Sequence, residues 1–127
     1  GHAAGDAVLA AAGSRLRACA RPRDVVARLG GDEFALAVHG PNAHQLPEIA
    51  ARVQRVLHAP VEWAGTSLPL TVSIGLAAGR WGHTDEVVAA ADQSMYVAKR
   101  DAATAVGPLV GSLRPTGHPT GPGAVVL

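Results

Sequence analysis

Arg28-Leu29-Gly30-Gly31-Asp32-Glu33-Phe34 joins two apolar runs through a pair of glycines and a pair of acids. Val25 to Leu29 leads into the glycines, and Phe34-Ala35-Leu36-Ala37-Val38 resumes a period-two alternation. The pattern predicts a β-hairpin with two carboxylates at its tip. Paired glycines supply the positive φ angles of a tight turn, and backbone without side chains lets a bulky anion approach closely. Asp32 and Glu33 are hard oxygen donors of the kind that Mg²⁺ shares with substrate phosphates. On spacing alone, a solvated Gly/Asp turn is the other reading.

Outward from the hairpin, the composition sets bounds. The chain has 127 residues, 48% hydrophobic and 17% charged, enough apolar material for one domain and one core. Eleven basic and ten acidic residues leave a net charge of +1, which gives no general reason to expect nucleic acid or a membrane surface as partner. Any anion site must be local. The lone Cys19 excludes an internal disulfide and fits a reducing cytoplasm. No apolar run reaches the length of a membrane span, and no signal-peptide pattern opens the chain. The chain starts at Gly1 rather than at methionine and is read as a piece of a longer protein.

Before the hairpin, Leu9, Ala12, Leu16, Cys19 and Ala20 recur at helical spacing, with Arg15 and Arg17 off the stripe. This predicts an amphipathic helix from about Ala3 or Asp6 to Ala20. Asp6 is then either an acid at the helix N-terminus or a ligand-binding carboxylate. Arg21-Pro22-Arg23-Asp24 reads as a polar connection. After the hairpin, Gly40-Pro41-Asn42 breaks the strand, and a helix with Leu46, Ile49, Ala50, Val53, Val56 and Leu57 on its apolar face follows, Pro47 suiting its first turn. Val61-Glu62-Trp63 and the alternating run Leu68 to Ala77 read as a second hairpin, with Leu70, Val72, Ile74 and Leu76 on one face. Thr84, Asp85 and Glu86 open a last helix whose inward stripe is Val88, Ala91 and Met95. Lys99 falls in its last turn, where a cation suits the helix dipole. From about 105 onward, glycine and proline punctuate the chain, so 105–127 is expected to be a disordered tail. The six histidines, His2, His39, His44, His58, His83 and His118, have no zinc-binding spacing.

Four blocks also resemble one family. Gly30-Gly31-Asp32-Glu33-Phe34 looks like the signature of the GGDEF family, the diguanylate cyclases, and Gly1-His2-Ala3-Ala4-Gly5-Asp6 resembles the segment upstream of it. Thr71-Val72-Ser73-Ile74-Gly75 and Ala91-Asp92-Gln93-Ser94-Met95-Tyr96-Val97-Ala98-Lys99 resemble its later strand and last helix. The resemblance covers about residues 1–104, roughly the C-terminal two thirds of a family domain.

The resemblance implies an α/β fold, an N-terminally truncated nucleotide-cyclase or polymerase-palm type, with helices packed on a mainly antiparallel sheet. It implies condensation of two GTP to cyclic di-GMP and pyrophosphate, with Mg²⁺ on Asp32 and Glu33 as metal-binding and catalytic residues. His2 and Asp6 would read guanine, while Gly30, Gly31 and Lys99 would meet phosphates. Arg21, Asp24 and Arg52 match an inhibitory product site. A two-fold symmetric product implies a homodimer. The sequence departs from the family at Ala102 and Ala103, where a glycine and a basic residue are usual. Members also place before this point a strand carrying another metal-binding aspartate and a guanine-reading asparagine. The chain by itself is therefore expected to be inactive, with open sheet edges. The alternative is a non-catalytic module that binds cyclic di-GMP or dimerises.

Overall fold

The computed structural model describes residues 1–40, 45–79, 83–100, 106–111 and 123–126. In chain order, these form α1 (His2–Cys19), β1 (Val25–Gly30), β2 (Glu33–Val38), α2 (Leu46–Leu57), β3 (Val61–Trp63) and β4 (Thr66–Leu68). β5 (Ile74–Ala78), α3 (Thr84–Arg100), β6 (Val106–Gly111) and β7 (Gly123–Val126) follow. One sheet runs in the order β1-β2-β7-β5-β6, and β3 pairs with β4 separately. Only β5 and β6 run parallel, across the α3 connection, so the sheet is mainly antiparallel as expected. Among the described residues, no helix is long and apolar enough to cross a membrane.

Period-two alternation divides the core into two layers. Phe34, Leu36 and Val38 of β2 join Ile74 and Leu76 of β5 in a cluster with Ala12 and Leu16 of α1 and Leu46, Ile49, Ala50, Val53 and Leu57 of α2. The alternate positions Ala35 and Ala77 join Val87, Ala91 and Met95 of α3 in a second cluster. Adjacent strand residues point to opposite faces, so α1 and α2 cover one side and α3 the other. Small residues face α3, and they let it come close.

The closest approach is at Gly75. A Cβ there would lie 1.8 Å from the Ala91 carbonyl oxygen and 2.6 Å from the Met95 nitrogen. No side chain fits between β5 and α3 at that point. Beside it, the Leu76 N–H donates to the Ser94 hydroxyl oxygen at 3.0 Å, in full burial. The pairing of β5 with β6 shifts register between Ile74 and Leu76, and a serine from the helix thus receives an N–H at the irregularity.

Several expectations need correction. The inward stripe of α3 is Val87, Ala91, Met95 and Ala98 with Ser94, while Val88 is only half-buried. The run Leu68 to Ala77 is not one strand: β4 ends at Leu68, 69–73 is irregular, and β5 begins at Ile74. Pro69, which has no N–H for a ladder, stands at the break. Leu70 and Val72 still pack on the core that buries Ile74 and Leu76, so the shared face holds.

The tail differs most. Expected to be disordered, it contributes β6 at one edge of the sheet and β7 at its middle. β7 lies antiparallel between β2 and β5, so the sheet interior is not left open there. Val106–Gly111 and Gly123–Val126 are short apolar runs hidden by flanking glycine and proline, and they gain strand character only from neighbours that offer paired edges. Pro108 is tolerated because β6 is an edge strand. Ala102 and Ala103, and positions 41–44 at the expected break after β2, lie outside the described residues.

Gly75→Ala is expected to destabilise the chain by about 2 kcal/mol or more, because helix backbone must retreat from β5. Urea denaturation checks this, and an unchanged midpoint would mean that α3 does not sit against Gly75.

Candidate active site

The hairpin forms as the sequence predicts. Val25 pairs with Ala37, Val26 with Leu36, Ala27 with Ala35 and Arg28 with Phe34, and after an irregularity at Leu29, Gly30 pairs with Glu33. Gly31 and Asp32 make the turn. Gly31 has φ +51°, a left-handed value that L side chains avoid, and a Cβ at Gly30 or Gly31 would meet no atom within 4 Å. The tip is therefore open backbone, accessible to a ligand. Arg28 closes it from below: Nε and Nη2 donate to the Gly31 carbonyl at 2.9 and 2.7 Å. That fork was not anticipated from the sequence, where an arginine beside a turn gives no signal of its own.

A cleft of about 270 Å³ opens beside the tip. Val8, Leu9, Ala12 and Leu16 of α1, Leu57 at the end of α2, and Phe34 form its apolar wall. Asp32 and Glu33 come to it from the hairpin, Lys99 from the last turn of α3, and Leu70, Thr71, Val72 and Ser73 from the irregular segment before β5. Two acids and a lysine far apart in sequence thus share one cavity. The wall is braced by Arg15, which donates to the carbonyls of Leu57, Ala59 and Pro60, the last at 2.7 Å, tying α1 to the C-terminal end of α2. The sequence pattern places Arg15 off the apolar stripe but does not reveal this contact.

Asp32 and Glu33 are the donor set available for a metal. Among the described residues, no group of three or more His, Cys, Asp or Glu converges on one point. Two carboxylates at an open tip fit Mg²⁺ of the kind that keeps waters and takes further oxygens from phosphates. They do not form a cage enclosing the ion on all sides.

The other sequence-predicted residues lie elsewhere. His2 and Asp6 are exposed on α1, one turn apart on one face, and neither lines the cleft. Asp6 falls beyond the first turn, which holds no acid, so its reading as an N-terminal helix acid is not met. Arg21 and Asp24 stand at the opposite end of the hairpin, in the loop before β1. The Asp24 carboxylate accepts from Arg21 N–H at 2.8 Å and from His39 N–H at 3.0 Å, clasping the loop to the end of β2. Arg52 Nη2 donates to the Cys19 carbonyl at 3.3 Å, and its Nε is buried with no hydrogen-bond partner among the described residues.

A family model described as the diguanylate cyclase GGDEF domain matches residues 1–104. The chain belongs to the GGDEF family. Diguanylate cyclase TpbB of Pseudomonas aeruginosa is 42% identical over 108 residues, covering 80% of this chain and 24% of that protein. An uncharacterized 19.3 kDa protein from the repSA 5′ region of Streptomyces ambofaciens is 39% identical over 102 residues, or 78% of this chain and 54% of that protein. Diguanylate cyclase A of Treponema denticola is 30% identical over 104 residues, or 80% and 28%. This GGDEF chain thus spans about half the length of one curated relative and about a quarter of the other two.

Asp24→Ala in this GGDEF chain is expected to cost about 1 to 3 kcal/mol, because two backbone N–H groups lose a charged acceptor. Chemical denaturation checks it. A midpoint within error of the unaltered chain would reduce Asp24 to a surface charge.

Proposed function

We propose that this chain is the nucleotide-binding part of a diguanylate cyclase that condenses two GTP into cyclic di-GMP and releases two pyrophosphates. The observation that supports this is the convergence of Asp32, Glu33 and Lys99 on one cleft beside an open glycine turn. Each 3′-hydroxyl attacks the α-phosphorus of the other GTP, and the bond to pyrophosphate breaks. Asp32 would be the principal ligand of the metal, and Glu33 would support the metal or help remove the hydroxyl proton. Magnesium, when bound, activates the attacking hydroxyl and neutralises charge on the phosphates. Lys99 attracts the phosphates, and the bare backbone of Gly30 and Gly31 lets them approach. His2 and Asp6 read guanine, the carboxylate accepting N–H groups of the base. Two protomers face each other, each presenting one GTP. The cytoplasm is the compartment that suits the lone thiol of Cys19.

A second reading, a module that binds cyclic di-GMP without turnover through Arg21, Asp24 and Arg52, is supported by the contact of Asp24 with Arg21. Asp24 already accepts two backbone bonds, but a carboxylate has about four lone-pair sites and retains capacity for base N–H groups.

The test is a chromatographic assay of GTP conversion in a polypeptide extended on the N-terminal side of Gly1. Asp32→Ala is expected to reduce product to background with the fold retained, and undiminished turnover would remove Asp32 from the metal site. Calorimetry with cyclic di-GMP addresses the second reading. Arg21→Ala is expected to weaken binding by about 1 to 3 kcal/mol, and equal affinity would leave only a polar loop.

A further inference from the structure

Gly31 and Asp32 stand between the paired Gly30 and Glu33, so the bond that joins them is the middle peptide of a two-residue turn. Such a peptide can turn over without disturbing the strands, exchanging the places of its C=O and its N–H. Gly31 has φ +51°, and Asp32 is not among the residues with positive φ, which are the signs of a type II′ turn. The turned-over form is type I′, which needs positive φ at both positions. Aspartate tolerates that value better than most residues, so the tip sequence is compatible with both forms. What separates them is Arg28, whose Nε and Nη2 both donate to the Gly31 carbonyl, at 2.9 and 2.7 Å.

We propose that Arg28 is a positioning residue that locks the Gly31–Asp32 peptide, keeping a backbone donor rather than a carbonyl oxygen on the ligand side of the tip. In a trans peptide the C=O and N–H point in opposite directions, and no cis bond occurs among the described residues. With its carbonyl turned to Arg28, this peptide points the Asp32 N–H away from the guanidinium. The cleft is lined by Asp32 and Glu33 but by neither Arg28 nor Gly31, so Arg28 works from outside the cleft, through the peptide. Turned over, the same peptide would place the negative end of its dipole beside two carboxylates, where a phosphate is already repelled. The shape of the guanidinium matters as well as its charge. Two N–H groups on one rigid edge fix the direction of a single oxygen, whereas a lysine ammonium is a point charge on a flexible stem. The irregularity between Arg28 and Gly30 bends β1 just before the turn, as bulges that re-aim a side chain do.

The lock concerns the turn itself, and its consequence for a ligand rests on the reading of the tip as a phosphate site. Nuclear magnetic resonance of the full chain tests the two separately, in the unaltered protein, Arg28→Ala and Arg28→Lys. In a type II′ turn a Gly31 Hα lies close to the Asp32 N–H, and in type I′ the N–H groups of the two residues approach each other. The ratio of the second cross-relaxation to the first is expected to rise at least about threefold in Arg28→Ala. An unchanged ratio overturns the lock. With Mg²⁺ and GTP, the response of the Asp32 amide is expected to fall in Arg28→Ala at least about threefold more than that of the Lys99 amide, and Arg28→Lys is not expected to restore it. Equal losses at both amides, restored by lysine, would reduce Arg28 to a charge and overturn the proposal. An unaltered chain whose tip amides do not respond to GTP contradicts the phosphate reading, and the turn ratio then decides the lock alone. Arg28 is exposed, and the amides of the β1–β2 pairing report whether each variant is folded. Should Arg28→Ala unfold, the ratio is read in Arg28→Lys, where a rise supports the lock and an unchanged value overturns it.

Discussion

The contact on which the rest depends is the backbone of α3 lying against Gly75 of β5, at a separation that admits no side chain. Close packing of this kind fixes both the distance and the rotation of the helix, because small displacements produce overlap on one side and a void on the other. Ser94 adds direction, since its hydroxyl oxygen must stay within reach of the Leu76 N–H. With α3 fixed at its middle, its last turn is carried to the cleft, and Lys99 stands with Asp32 and Glu33. A lysine and a pair of carboxylates need such a frame. Left to solvent, their charges would be hydrated and would find each other only weakly.

The second constraint is the alternation along β2 and β5. Large side chains on one face build the α1/α2 core that walls the cleft, and alanine on the other face gives α3 room. The carboxylate pair and the open glycine turn stand at the tip of the β1–β2 hairpin, while Asp24 clasps its base fifteen residues from His39 along the chain. Tip and base are thus held by different interactions: Arg28 on the Gly31 carbonyl at one end, and Asp24 on two backbone N–H groups at the other. A ligand acting at either end works on a hairpin whose strands are fixed between.

What the sequence made legible was local. The hairpin followed from Gly30-Gly31 between apolar runs, α2 from its apolar stripe and Pro47, and α3 from Thr84 with its two acids. Asp32, Glu33 and Lys99 were named beforehand, and they share a cavity. The contacts that shape this cavity were not legible, because they join residues distant in the chain. Arg15 reaches carbonyls more than forty positions away, and Ser94 meets Leu76 across eighteen. Neither leaves a period in the sequence. β6 and β7 were missed because four to six residues among glycines and prolines resemble a linker until neighbouring strands pair with them. The first helix was expected from about Ala3 or Asp6; it begins at His2, and it carries His2 and Asp6 outside the cleft lining.

The central claim is that Asp32, Glu33 and Lys99 form one site for a metal-bound nucleotide triphosphate. Paramagnetic line broadening tests it most directly, with Mn²⁺ replacing Mg²⁺ in the presence of GTP and backbone amides as reporters. The account predicts GTP-dependent broadening centred on Gly31, Asp32 and Glu33, extending to the end of α3 at Lys99 and weak at the Arg21–Asp24 loop. Broadening centred on that loop, or none at the hairpin tip, would contradict it.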